Sequence, residues 1–114
     1  MIKVLHNDTC SKSRAILEYL DENGVQFEIL DIIKNPLSEV ELKTILKKLG
    51  KTAKEIVRYF DPEYSTKYKY SEQTEEEVFD VILHNPQLMQ RPILVKGNLA
   101  MVCRPVENVR FFID

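Results

Sequence analysis

Cys10 is the residue whose surroundings most suggest chemistry. It stands in the run His6-Asn-Asp-Thr-Cys-Ser-Lys-Ser-Arg14, after a short apolar segment and before a helical one. Free N–H groups and the dipole at a helix start favour an anion, so a thiol placed there ionises more readily and an oxyanion binds beside it. Lowering a thiol pKa from about 8.5 to about 6.5 takes roughly 2.7 kcal/mol and raises the thiolate fraction at pH 7 from about 3 % to about 75 %. A helix terminus supplies about 0.3–1 kcal/mol at an exposed site, so nearby cations must supply most of such a shift. Lys12 and Arg14 are placed to do so. His6 either adds to that charge or satisfies a local backbone group. Ser13 occupies the position where a dithiol motif carries its second cysteine. The loop therefore cannot close an internal disulfide, which points to a single-thiol nucleophile that relies on an external thiol. The plain alternative, Cys10 as a small buried hydrophobe, sits poorly with its polar neighbours.

The elements that must position this residue can be read on either side of it. Ile2 to Leu5 predicts a short buried strand, and Ser11 to Glu22 a helix with Ala15, Ile16, Tyr19 and Leu20 on one face. Asn23-Gly24 stops that helix, because glycine reaches the left-handed conformation without steric cost. Val25 to Ile33 predicts a second strand with Val25, Phe27 and Ile29 alternating against polar partners. Strand, helix and strand joined in this way form a right-handed parallel unit. Three capping boxes follow, Ser38 with Glu41, Thr52 with Glu55 and Thr74 with Glu77, and each predicts a helix start. Leu42, Ile45, Leu46 and Leu49 stripe the first of these helices, and Gly50 ends it. Pro92 to Val95 and Leu99 to Cys103 predict two strands around a Gly97-Asn98 turn, the second of them central in the sheet. Pro105 opens a last helix whose inner face is Val106, Val109, Phe112 and Ile113. The order is βαβ, a helical insertion over about 37–90, then ββα.

Composition bounds the setting. The 114 residues suit one domain, and 44 % hydrophobic with 30 % charged residues is ordinary for a globular protein. Sixteen basic against 18 acidic residues leave a net charge of -2, which argues against a broad nucleic-acid or anionic-membrane footprint. No apolar run reaches the roughly 20 residues of a membrane span. The N-terminus lacks the apolar core of a signal peptide, so a cytoplasmic protein is expected. Two cysteines are too few for a disulfide framework or a cysteine-rich zinc site, and no metal is expected. The lysines at 43, 47, 48, 51 and 54 interleave with Glu39, Glu41 and Glu55 and read as a solvated helix face. Tyr59, Phe60, Tyr64, Tyr68 and Tyr70 read as an aromatic packing cluster.

Three blocks carry a family resemblance: His6-Asn-x-x-Cys10-Ser-Lys-Ser-Arg14, Asn85-Pro-x-Leu-x-x-Arg91-Pro92-Ile93 and Cys103-Arg104-Pro105. Together they resemble the glutaredoxin-dependent arsenate reductases of the ArsC type. The resemblance implies an α/β, thioredoxin-like fold with a mixed four-stranded sheet and one domain over 1–114. It implies that Cys10 attacks arsenate to form a covalent adduct, that glutathione then attacks as co-substrate, and that glutaredoxin reduces the mixed adduct and releases arsenite. No bound cofactor is implied. Oxyanion-binding arginines fall on Arg91, Arg104 and Arg58; His6, Ser13 and Arg14 support the thiolate; Pro92 is the cis-proline candidate. A planar guanidinium suits this task, since it clamps a tetrahedral oxyanion with two parallel hydrogen bonds. Asp8 departs from the pattern, where many relatives carry proline, and its carboxylate opposes thiolate formation.

Two other functions stay open. A regulator similar to Spx, which binds RNA polymerase, shares this fold, but that group commonly carries the Cys-x-x-Cys absent here. A monothiol oxidoreductase acting on glutathionylated proteins needs Cys10 without the arginines. Cys103 is expected to pack rather than react.

Overall fold

The computed structural model describes residues 2–6, 11–103 and 106–110, without the side chains of residues 6, 11–13, 106 and 107. The chain forms two compact units. Residues 1–35 and 91–114 make a sheet unit, and 36–90 make a helical unit.

In the sheet unit, β1 (Ile2–His6) leads to α1 (Ser11–Glu22) and then β2 (Phe27–Asp31). After the helical unit come β3 (Ile93–Lys96) and β4 (Leu99–Val102). The strand order is β2-β1-β3-β4. β1 runs parallel to β2, with Ile2 opposite Phe27, and antiparallel to β3, with Leu5 opposite Ile93. β3 and β4 are an antiparallel hairpin with Ile93 opposite Val102. Gly97 takes φ +60° in the turn, a conformation that costs a side-chain-bearing residue steric strain. This is the mixed four-stranded α/β sheet of the thioredoxin-like fold. Ile2, Val4 and Leu94 on one sheet face pack with Ile16 and Leu20 of α1, Cys103 and Val109. Leu5, Ile93 and Val95 alternate to the other face and are buried as well.

Three expectations are corrected here. The second strand is shorter than Val25 to Ile33. The Val25 N–H still donates to Leu20 O at 3.0 Å as part of the α1 terminus. At the other end, Asp31 Oδ1 accepts from the N–H groups of Ile33 and Lys34, each at 3.0 Å, and turns the chain out of the sheet. β2 is also an edge strand, so Ile29, expected inside, is 48 % exposed. β4 is the other edge strand rather than a central one, and Cys103 follows its last residue. Of the last helix, Val106–Val109 is a 3₁₀ turn. Pro105, Phe112 and Ile113 lie outside the described residues.

The helical unit contains α2 (Glu39–Leu49), α3 (Ala53–Ile56), α4 (Pro62–Ser65) and α5 (Glu75–His84). All three capping boxes form in full. Ser38 Oγ accepts from Glu41 N at 3.1 Å while Glu41 Oε1 accepts from Ser38 N at 2.9 Å, and Thr74 with Glu77 repeats the pattern. Each box satisfies two N–H groups that the helix leaves free. The helix from Thr52 is only one turn long. Val57 takes extended backbone and bridges antiparallel to Met89. The core includes Leu42, Ile45, Ile56, Tyr64, Val78, Ile82 and Leu88. Tyr64 is fully buried, donates its hydroxyl to Gln73 Oε1, and lies 5.2 Å from Tyr68 and 6.5 Å from Tyr70 between ring centres. Among the described residues, no helix is long and apolar enough to cross a membrane.

Candidate active site

The strand directions bring three separate stretches of sequence to one end of the sheet. β1 leaves the sheet at His6, and four residues later Cys10 precedes the first residue of α1. β3 runs antiparallel to β1, so its start, just after Arg91-Pro92, lies at that same end. β4 runs antiparallel to β3, so its finish, just before Arg104, lies there too. The N–H of Cys103 donates to Pro92 O at 3.0 Å, which extends the β3–β4 ladder beyond Ile93 and Val102. The Arg91-Pro92 step and Cys103 are thereby tied together. Cys10 and Arg104, and the side chains of His6 and Ser13, lie outside the described residues.

Arg91 is the one buried charged side chain among the described residues, at 9 % exposure. A guanidinium cannot shed its charge on burial, so its place must be stabilised by partners. The Arg91–Pro92 peptide is cis. Arg14, in the first turn of α1, is exposed.

Cys103 differs sharply from what a nucleophile requires. It is fully buried among Ile2, Val4, Leu94 and Val109, and this burial pushes its thiol up to about 11. At pH 7 the thiolate fraction is about 10⁻⁴, so the sulfur behaves as a small apolar group.

Arg58 belongs to the helical unit and is held by a short ladder there. Its N–H donates to Leu88 O at 2.7 Å, Gln90 N donates to Ile56 O at 2.8 Å, and Val57 opposite Met89 completes the bridge. The chain then turns, with Asp61 N donating to Arg58 O at 3.0 Å. The Arg58 guanidinium carbon sits 5.2 Å from the Phe60 ring centre, and Nε lies 3.6 Å from Asp61 Oδ2.

Asp61 escaped the sequence reading, although Asp61-Pro62 carries a clear signal. An aspartate followed by proline is a helix N-cap followed by its first helical residue. The lysine run is also only partly solvated. Lys54 donates to Gln73 O at 2.8 Å and lies 4.7 Å from the Tyr70 ring centre, while Lys43 pairs with Glu39 at 3.4 Å on the surface. The helical unit has an open cleft of about 520 Å³ lined by Glu39, Lys43, Leu46, Glu75, Glu76, Phe79 and Asp80. Four carboxylates against one lysine make it repellent to an oxyanion, so it is not the candidate site.

Known proteins share this arrangement along nearly the whole chain. Residues 5–112 match the family model described as the ArsC family. The uncharacterized protein YfgD of Escherichia coli (strain K12) is 37 % identical over 110 residues, covering 95 % of this chain and 92 % of that protein. An arsenate reductase of Neisseria meningitidis is 36 % identical over 110 residues, covering 95 % of this chain and 94 % of that protein. The structure of an arsenate reductase from Vibrio cholerae superposes with a TM-score of 0.85 at 27 % identity, covering 98 % of this chain and 97 % of that one. A family model spanning residues 5–112 and relatives more than 30 % identical over nearly the whole chain lead to one assignment: the chain belongs to the ArsC family.

Proposed function

We propose that the protein reduces arsenate, or a closely related oxyanion, to arsenite through Cys10. One observation supports the reading: the end of β1, the start of β3 just after Arg91-Pro92 and the end of β4 at Val102 lie at the same end of the sheet, and in sequence Cys10 follows the first of these and Arg104 the last. The names of the relatives from Neisseria meningitidis and Vibrio cholerae supply the substrate.

The chemistry runs in balanced steps. The Cys10 thiolate attacks arsenic, an S–As bond forms, and an As–O bond breaks with loss of water while arsenic stays pentavalent. Glutathione adds a second S–As bond with loss of another water. A glutaredoxin thiolate then takes the glutathione sulfur, and the electron pair of that bond remains on arsenic, which becomes trivalent. Hydrolysis releases arsenite and restores the Cys10 thiol. Two external thiols end as one mixed disulfide, matching the two electrons arsenic gains. Cys10 needs no thiol partner within the chain, in keeping with Ser13 at the third position after it and with the inert Cys103.

Arg91, Arg104 and Arg58 are assigned to the arsenate oxygens. Fixed positive donors stabilise the charge that develops on them as the sulfur attacks. In this reading the N-terminus of α1, with Arg14 and His6, favours the thiolate over the thiol, and Ser13 is a further supporting residue. The thiol chemistry needs a reducing compartment, so the cytoplasm is the inferred location.

The test is a coupled assay that supplies glutathione, glutathione reductase and glutaredoxin and follows arsenate-dependent consumption of NADPH. Turnover is expected for the wild type and not for Cys10→Ala. Mass spectrometry of protein incubated with arsenate and glutathione should find the adduct on Cys10. Absence of turnover in the wild type, or full turnover in Cys10→Ala, rejects the reading.

A further inference from the structure

The geometry points to Asp61 as a positioning residue for Arg58, an inference that rests on Arg58 being an oxyanion ligand. The Asp61 carboxylate is divided between two tasks. Oδ1 accepts from the Glu63 N–H at 2.9 Å and caps α4. Oδ2 faces Arg58 Nε at 3.6 Å. Both side chains are largely buried, at 18 % exposure for Arg58 and 26 % for Asp61, so solvent screens this pair less than a surface pair. The Phe60 ring lies 5.2 Å from the guanidinium carbon and supplies a platform for its flat face.

The point of contact matters. A guanidinium offers one donor at Nε and four at its two terminal nitrogens. Asp61 addresses the stem nitrogen. Among the described residues, the terminal nitrogens make no hydrogen bond or ion pair. A carboxylate across those terminal groups blocks a bidentate grip on an anion; a carboxylate that pairs in charge with the buried Nε, at 3.6 Å without a hydrogen bond, biases the guanidinium's place and leaves the fork open. Asp61 is itself immobile because its cap, its own N–H to Arg58 O, and Tyr64 and Ser65 donating to its carbonyl at 2.9 Å each hold it. The ordered part of Arg58 thus extends from the Val57–Met89 bridge to the guanidinium plane. Less side-chain freedom then remains to be lost when the oxyanion binds.

The test uses Asp61→Asn, whose side-chain oxygen can still cap α4 but carries no charge. NMR of the arginine Nε–Hε groups reads the contact directly, with Arg58→Ala giving the assignment. The wild-type Arg58 signal is expected apart from those of exposed arginines because the Asp61 charge lies 3.6 Å from Nε; Asp61→Asn should shift it toward them. In the coupled assay Asp61→Asn should raise KM for arsenate about five-fold and leave kcat within about two-fold, and it should change nothing in an Arg58→Ala background. An unmoved Nε–Hε signal, or the same KM penalty with and without Arg58, overturns the proposal, the second outcome meaning that Asp61 acts through the cap alone. If wild type reduces no arsenate, the enzymatic reading fails while the NMR result still decides whether Asp61 holds Arg58. Phe60→Ala, at an exposed ring, reads the same resonance if Asp61→Asn does not fold.

Discussion

The two units of this chain are built on different physical terms. In the sheet unit nearly every determining contact is non-local: Leu5 meets Ile93, Ile2 meets Phe27, and Cys103 is tied to Pro92. In the helical unit much of the order is local. Capping boxes close over three residues, and the turn after Arg58 closes over three more. The difference bears on function. Arg91, just before β3, is buried beside a Pro92 carbonyl that the sheet ladder holds; Arg58, on a short turn, has local neighbours around its side chain.

The largest expected effect tests that contrast directly. Arg91→Ala should lower kcat/KM for arsenate about 1,000-fold, since it removes a buried, preorganised charge. Arg91→Lys should recover only part of this, because a point charge lacks the planar fork. With Arg58 as a proposed second oxyanion ligand, Arg58→Ala should cost about 10- to 30-fold, mostly in KM, because its charge is less buried than that of Arg91. Steady-state kinetics of the three variants decide the matter. Equal losses at positions 58 and 91 break the distinction between the units.

Stability in the helical unit should hinge on Tyr64 rather than on the arginines. Tyr64→Ala empties a fully buried aromatic site and should cost about 3–5 kcal/mol in urea unfolding. Tyr64→Phe removes only the hydroxyl donated to Gln73 and should cost about 1 kcal/mol.

What could be read from the residues follows the same division. The helix starts at Ser38, Thr52 and Thr74 were legible because a capping box is a local device whose two partners lie three residues apart. The Gly97 turn was legible for the same reason. The length of α3 was not, because Val57 leaves the helix to bridge Met89, a partner 32 residues away. The exposure of Ile29 and the edge position of β4 depend on strand order, which apolar alternation does not encode. At the site, the Cys10 loop announced itself by polar residues between a strand and a helix. The assignments of Arg58, Arg91 and Arg104 came from resemblance, because isolated arginines carry no local mark. Asp61 beside Arg58 was missed, because the turn that makes them meet is not written in their spacing.

The units should also fail at opposite ends of the pH scale. In the sheet unit the unfolded Cys103 thiol ionises near pH 9.0 and the folded one near about 11. The folded state therefore holds the proton more tightly. Its contribution is fully present below pH 9 and is lost as pH rises toward 11, by about 3 kcal/mol. Thermal melts of wild type and Cys103→Ala across that range should converge as pH rises, and parallel curves contradict the assignment. In the helical unit, Glu41, Glu55 and Glu77 have lowered pKa values, chiefly because backbone N–H groups of Ser38, Thr52 and Thr74 hydrogen-bond to their carboxylates. Here the folded state releases protons more readily. Its contribution is present above the ordinary carboxylate range and is lost as pH falls below it. A triple Glu→Gln variant should show a shallower acid limb than wild type.

The smallest effect distinguishes two caps of the same type. At α2 only Ser38 and Glu41 cover the box, and Ser38→Ala should cost about 1 kcal/mol. At α3 a second carboxylate intervenes: Glu75, from the start of α5, accepts from Ala53 N at 2.7 Å and from Lys54 N at 3.0 Å. Two of the N–H groups freed at this helix start are thus satisfied from 21 and 22 residues away, whatever stands at Thr52. The Thr52 hydroxyl accepts from Glu55 N at 3.3 Å and donates to Glu55 Oε1 at 3.2 Å, and the Glu55 carboxylate, which accepts from the Thr52 N–H at 3.0 Å, keeps that partner when the hydroxyl is removed. Thr52→Ala should therefore cost about half as much as Ser38→Ala, roughly 0.5 kcal/mol. In a Glu75→Gln background, which weakens the distant acceptor, the cost should rise toward the Ser38 value. Denaturant melts of the four variants measure this coupling; additive costs mean that α3, like α2, is held at its start by local contacts alone.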